Sequence, residues 1–212
     1  MFENIIKNVH NRHPLIHCIT NYVSINDCAN IVLACGGAPI MAEDINEVSQ
    51  ITSICQGLDI NIGMLNDNKL SSMLKAGATA NELGIPVILD PVGAGSSDYR
   101  IKAVQNLMSN VQFGVIRGNV SEIKAIAAKQ GIHNIAAGVY DTMQKDKSAM
   151  GVEAGIADKI TDDNIKEMAD FINKLSQKTG AVIAVTGRID MVADENRVYA
   201  IRNGHKMMSL VT

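Results

Sequence analysis

Pro86-Val87-Ile88-Leu89-Asp90-Pro91-Val92-Gly93-Ala94-Gly95 decides how this chain is read. A short apolar run delivers an acid, Pro91 ends the strand at once, and Gly93 and Gly95 let a backbone approach a ligand closely. A second stretch repeats the plan: Phe113-Gly114-Val115-Ile116 leads into Arg117-Gly118-Asn119-Val120-Ser121-Glu122. Ligands of open α/β sheets sit beyond the carboxyl ends of the strands. The expectation is therefore that Asp90, Arg117 and Glu122 converge on one rim. Two carboxylates and an arginine there suit a magnesium-bound phosphate.

Outward from these stretches, β-rich runs alternate with helical spacing. Strands are expected at 15–19, 58–62, 86–89, 113–116 and 181–185, and helices at 24–35, 43–55, 66–83, 98–109, 119–129 and 161–178. Gly36-Gly37, Gly84, Gly131 and Gly180 stand where helices should stop. Asn119 and Glu122 form a capping-box pattern, and Asp98 and Thr161 read as caps. After 185 the pattern becomes a meander, with strands at 191–192 and 197–202. Asn203-Gly204 reads as a type I′ hairpin turn into a last strand over 205–210. The order implies one α/β domain over 1–212: a largely parallel sheet flanked by helices, with an antiparallel edge. The segment 133–157 reads as a loop near a ligand.

Composition narrows the class. The 212 residues are 47% hydrophobic and 19% charged, which supports a sizeable core and no disordered stretch. A net charge of −3, no Trp and no basic cluster give no reason to bind nucleic acid. The N-terminus lacks signal-peptide features, and no apolar run approaches the roughly 20 residues of a membrane span. The four cysteines, Cys18, Cys28, Cys35 and Cys55, form no C-x-x-C pair and read as thiols of a cytoplasmic protein.

Each candidate has a bland reading beside the sharp one. Asp90 is a magnesium ligand, direct or through water, or a polar strand end before a turn. Arg117 offers a bidentate fork to phosphate; Glu122 is a metal-side acid or only a capping residue. Thr186, in Ala184-Val185-Thr186-Gly187, offers a hydroxyl and an amide to a nucleotide or simply ends a strand. Gly93-Ala94-Gly95 begins like a dinucleotide fingerprint, but Asp98 replaces its last glycine. Ala38 to Ala42 and Asn61 to Met64 are core, or the wall of a pocket for a flat, sulfur-containing ligand. His10, His13, His17 and Cys18 suggest a metal site that Pro14 argues against.

With those segments named, the chain resembles the hydroxyethylthiazole kinase family of the ribokinase-like superfamily. The resemblance rests on His13-Pro14-Leu15-Ile16-His17-Cys18-Ile19-Thr20-Asn21-Tyr22-Val23, Gly37-Ala38-Pro39-Ile40-Met41-Ala42, Asn61-Ile62-Gly63 and Leu89-Asp90-Pro91-Val92-Gly93-Ala94. Ile116-Arg117-Gly118-Asn119, Val185-Thr186-Gly187 and Asn203-Gly204-His205 complete it. It implies ATP-dependent phosphorylation of the hydroxyl of 4-methyl-5-(2-hydroxyethyl)thiazole in thiamine biosynthesis. It assigns Arg117 and Thr186 to the nucleotide, Asp90 and Glu122 to Mg²⁺, and Met41, Asn21 and Gly63 to the thiazole pocket. It also implies a homotrimer with sites at subunit interfaces. The family's Gly-Thr-Gly-Cys segment, which carries the transfer step, is expected directly after Thr212, so the C-terminal part of the fold lies beyond this chain. A chain ending at Thr212 is expected to be inactive, a thiazole-binding subunit without chemistry.

Overall fold

The computed structural model describes residues 2–132, 159–205 and 207. The loop expected over 133–157 lies outside them, and of the strand expected over 205–210 only 205 and 207 lie inside. The chain divides into two compact units, Met1–Asp90 with Asn106–Gln112, and Pro91–Gln105 with Phe113–Thr212.

The first unit alternates helix and strand: α1 (Phe2–Arg12), β1 (Leu15–Ile19), α2 (Ile25–Ala34), β2 (Ala38–Ile40), α3 (Val48–Ile54), β3 (Gly57–Asn61), α4 (Asp67–Glu82) and β4 (Val87–Asp90). Its strands lie in the order β2-β1-β3-β4. All three pairings are parallel, with Ile16 opposite Pro39, Ile19 opposite Ile60 and Asn61 opposite Asp90. Parallel strands need a crossover between neighbours, and the helices supply it. Ile19, Ile60, Ile62, Met73 and Leu89 are fully buried and make the core. Helix α4 starts at Asn66, whose side chain accepts from Lys69 N at 2.8 Å. Its Gly77 faces Val111 so closely that a Cβ would come 2.5 Å from a valine methyl.

The second unit holds β5 (Val115–Asn119), α6 (Val120–Lys129), α7 (Ile165–Thr179), β6 (Val182–Thr186), β7 (Asp190–Ala193) and β8 (Val198–Ile201), while α5 (Asp98–Asn110) contributes to both units. Its strands run β5-β6-β7-β8. The first pairing is parallel and the next two antiparallel. Ile116, Ile123, Phe171, Ile172 and Leu175 form its core. The α/β class, the mostly parallel pairing and the antiparallel edge match the sequence reading.

Four local expectations change. The helix expected from residue 43 begins only at Val48, because Asp44 closes a turn on Asn46 N at 2.8 Å and Glu43 is drawn into an ion pair. Helix α7 begins at Ile165 after Asn164; Thr161 instead donates its amide to the Asn164 side chain at 2.8 Å. At α5 the capping acceptor is the Ser97 hydroxyl, which takes Arg100 N at 3.2 Å, with Asp98 inside the first turn. Asn203-Gly204 makes no type I′ turn, since neither residue has the positive φ that turn requires. Gly204 is needed for space: a Cβ there would lie 2.4 Å from the Arg188 carbonyl oxygen.

Candidate active site

Because the four strands of the first unit are parallel, their carboxyl ends share one rim. Read across it in strand order, β2 gives Met41, β1 gives Asn21, β3 gives Asn61 and Gly63, and β4 gives Asp90. Four of the residues assigned from sequence therefore lie on one edge. Asn21 and Gly63 meet through Asn61, to which the sequence reading gave no role of its own within its segment. The buried Asn61 accepts from Gly63 N at 2.9 Å and from Asn21 Nδ2 at 3.1 Å. Asn21 Oδ1 in turn accepts from Ser24 N and the Ser24 hydroxyl at 3.1 and 3.2 Å. Any side chain at 63 would put a Cβ 2.9 Å from Asn21 Nδ2 and from Asn61 Oδ1. Asp90 stands opposite Asn61, half-buried, with Oδ1 sealed from solvent.

The loop carrying Met41 is held on the two residues after it. His17, wholly buried in β1, has Nε2 2.8 Å from the Ala42 carbonyl and Nδ1 2.9 Å from the Thr52 hydroxyl. Desolvation holds its pKa below the ordinary value. Glu43 pairs with Lys69 at 2.8 Å and accepts from the Tyr22 hydroxyl. Lys69, only 3% exposed, also donates to the Thr20 carbonyl at 2.6 Å and lies 4.2 Å from the centre of the Tyr22 ring. Burial pushes the Glu43 carboxyl up, yet Lys69 and Tyr22 together hold it below the usual carboxylate range. The sequence did carry a signal for Lys69. It falls in the buried stripe of α4 with Ser72, Met73, Ala76, Gly77 and Ala80, at helical spacing. His10 and His13 bond to the Ile6 and Gly36 carbonyls. Among the described residues, no three His, Cys, Asp or Glu side chains gather to hold a metal.

In the second unit β5 runs further than expected and takes in Arg117, Gly118 and Asn119. Arg117 is thus a strand residue, opposite Ala184, and Asn119 stands opposite Thr186. Register partners share a face, so Arg117 and Thr186 lie on the same face of neighbouring strands, offset by two residues or roughly 6.6 Å. That face is the open one: Arg117 is exposed, while Ile116 and Gly118 beside it are buried. Glu122, 7% exposed, completes the capping box. Its Oε2 accepts from Asn119 N at 2.7 Å and its Oε1 from Gly93 N at 2.9 Å. The same carboxylate that starts α6 therefore ties down the glycine loop after Asp90. Gly118 makes room, since a Cβ there would press on Glu122 at 3.0 Å. Gly93 has φ +66°, a conformation a side chain would strain. The Thr186-Gly187 end of β6 is fixed by Asp190, which accepts from Gly187 N at 2.9 Å.

The first unit thus offers a polar, small-residue rim with an acid at one end. The second offers a cation and a hydroxyl on an open sheet face, beside a glycine loop anchored at a helix start. Such parts suit binding of a small polar molecule and a phosphorylated one.

Comparison with known proteins is consistent with this chemistry. A model of the hydroxyethylthiazole kinase family matches residues 6–212. The hydroxyethylthiazole kinase of Clostridium acetobutylicum is 51% identical over 212 residues, covering 100% of this chain and 72% of that protein. That of Desulfovibrio desulfuricans is 45% identical over 212 residues, covering 100% of this chain and 69% of that protein. Among solved structures, the hydroxyethylthiazole kinase protein from Pyrococcus horikoshii OT3 superposes with a TM-score of 0.80 at 32% identity, over 99% of this chain and 69% of its own. A phosphomethylpyrimidine kinase from Clostridium difficile 630, at 13% identity and a TM-score of 0.58 over 90% of this chain and 85% of its own, shares the fold alone.

Proposed function

Because the chain belongs to the hydroxyethylthiazole kinase family, we propose that it transfers the γ-phosphoryl group of ATP to the primary hydroxyl of 4-methyl-5-(2-hydroxyethyl)thiazole. One observation carries this reading: identity of 51% with the C. acetobutylicum relative extends over the whole chain. The matched length therefore spans the segments that carry the rim residues as well as the core. The relatives compared are named as kinases and lend no support to a binding subunit without chemistry.

Phosphoryl transfer asks a protein mainly to position reactants and to neutralise developing charge. Arg117 faces phosphate oxygens from the open side of β5, and Thr186 adds a hydroxyl on the same face. Asn21, Met41 and Gly63 bound the acceptor. The donor set fits Mg²⁺, which takes oxygen ligands and keeps several waters. Asp90 supplies a half-buried carboxylate. Glu122 supplies a second carboxylate, each of whose oxygens accepts a backbone N–H. When bound, such an ion would offset charge on the phosphates. Glu122 meanwhile holds the Gly93 loop in place.

The protein would act as a homotrimer in the cytoplasm. Exposed Val23, Tyr22, Ile31 and Leu33 near and on α2 support burial against another copy, and the four free thiols suit a reducing compartment. No helix among the described residues is long and apolar enough to cross a membrane.

The test is incubation with ATP, Mg²⁺ and the thiazole alcohol, with ADP release followed and the product identified by mass. The thiazole monophosphate is expected. Phosphorylation of a pyrimidine alcohol in its place, or of neither, would overturn the assignment.

A further inference from the structure

Lys69 is a buried cation on the first turn of α4 and is not itself among the residues assigned to either substrate. Its position is hard to explain by stability alone. Burying an ammonium group is costly, and an apolar side chain would suit the stripe it occupies. What distinguishes the site is what the ammonium group reaches. One contact goes to the Thr20 carbonyl, the residue before Asn21, at 2.6 Å. Another goes to Glu43 Oε2, two residues beyond Met41, at 2.8 Å. The ammonium group also sits 4.2 Å from the ring centre of Tyr22, the residue after Asn21. Tyr22 closes the circuit by donating its hydroxyl to Glu43 Oε1. One cation thus joins the loop after β1 to the loop after β2. Along their backbones these are the loops that present Asn21 and Met41.

We infer that Lys69, with Glu43 and Tyr22, is a positioning device that fixes the spacing of Asn21 and Met41, and so sets recognition of the acceptor alcohol. The inference rests on the kinase reading above. Lys69 touches no reacting atom; it acts by holding two loops at one separation. Its loss should therefore weaken binding of the acceptor more than binding of ATP or the chemical step.

The experiment compares wild type with Lys69→Met, Glu43→Gln, Tyr22→Phe and the Lys69→Met/Glu43→Gln double variant. KM for the thiazole alcohol, KM for ATP, kcat and the melting temperature are measured for each. Lys69→Met is expected to raise KM for the alcohol by about tenfold or more, the range of losing a charge-assisted hydrogen bond. KM for ATP and kcat should stay within about threefold. Glu43→Gln should do the same in the folded protein, and Tyr22→Phe more mildly. The double variant should be little worse than Lys69→Met, because both remove one unit. Glu43→Gln removes the charge that pairs with Lys69 and one of the two acceptor oxygens at nearly unchanged size, so it serves if Lys69→Met fails to fold. Wild-type KM for the alcohol in Glu43→Gln, or equal rises in both KM values, overturns the clamp while leaving the kinase assignment intact. A wild-type protein that neither binds nor phosphorylates the alcohol overturns both.

Discussion

His17 has more bonds around it than protons to make them. Its Nε2 faces a carbonyl and must donate. Thr52 has one hydroxyl proton and two acceptors in reach, Nδ1 of His17 at 2.9 Å and the Val48 carbonyl at 2.7 Å. With a neutral ring, Thr52 donates to Nδ1; with a charged ring, Nδ1 donates and Thr52 turns to Val48. Burial disfavours the charged form, so the folded pKa lies below the ordinary 6.5. The sign follows: below 6.5 the unfolded chain takes up the proton first, and stability falls with falling pH by up to about 1.4 kcal/mol per pH unit. His17→Gln is therefore expected to flatten urea midpoints between pH 6.5 and the folded pKa. An unchanged slope there would count against a neutral His17. Glu122 is the other residue with two duties. Glu122→Gln replaces one acceptor by a donor that meets a backbone N–H, so unfolding free energy should drop by about 1–3 kcal/mol. Phosphorylation should fall with it, because the Gly93 loop loses its anchor. Denaturation with unchanged midpoint would refute the capping role.

Elements here are positioned by close approach as much as by propensity. Alanine favours a helix over glycine by roughly 1 kcal/mol, yet Gly77→Ala on α4 would drive a Cβ to 2.5 Å from Val111. Overpacking of that kind costs typically 1–3 kcal/mol, so a lower melting temperature is expected. Combining it with Val111→Ala should recover the loss, a non-additivity that identifies the clash. Gly204 makes the same point where the sequence misled. Asn-Gly between strand-like runs reads as a hairpin turn, and the residue is glycine instead because the Arg188 backbone occupies the space of a side chain. Arg188 follows the Thr186-Gly187 strand end. Gly204→Ala is accordingly expected to raise KM for ATP several-fold with little change for the thiazole alcohol. Helix α3 shows the converse error: apolar spacing from residue 43 suggested a helix, but the Lys69 pair takes Glu43 out of it.

For the molecule as a whole, the exposed apolar residues after β1 and on α2 set the assembly, and the trimer reading makes them an interface. Val23 is 87% exposed and Ile31 61%. Glutamate at both should shift the mass measured by light scattering from trimer to monomer. Thiazole turnover should fall with it while ATP binding persists; a wild-type protein that is already monomeric defeats the reading. The sequence by itself determined the alternation of strand and helix, the parallel class with its antiparallel end, and the placing of Asp90 at a strand terminus. Those features follow from local rules: side-chain period, glycine where helices stop, proline where a strand must end. It also named Arg117 and Thr186 from their strand ends, and Asn21, Met41 and Gly63 by resemblance. Only the tertiary structure decided what holds each of them. Lys69 reaches Thr20 across 49 residues of chain and Glu122 reaches Gly93 across 29. Arg117 meets the face of Thr186 only through the register of β5 on β6. Local pattern reports which face of an element is buried. It carries no information about which distant backbone group a buried charge will find there, and at this site those bonds set the geometry.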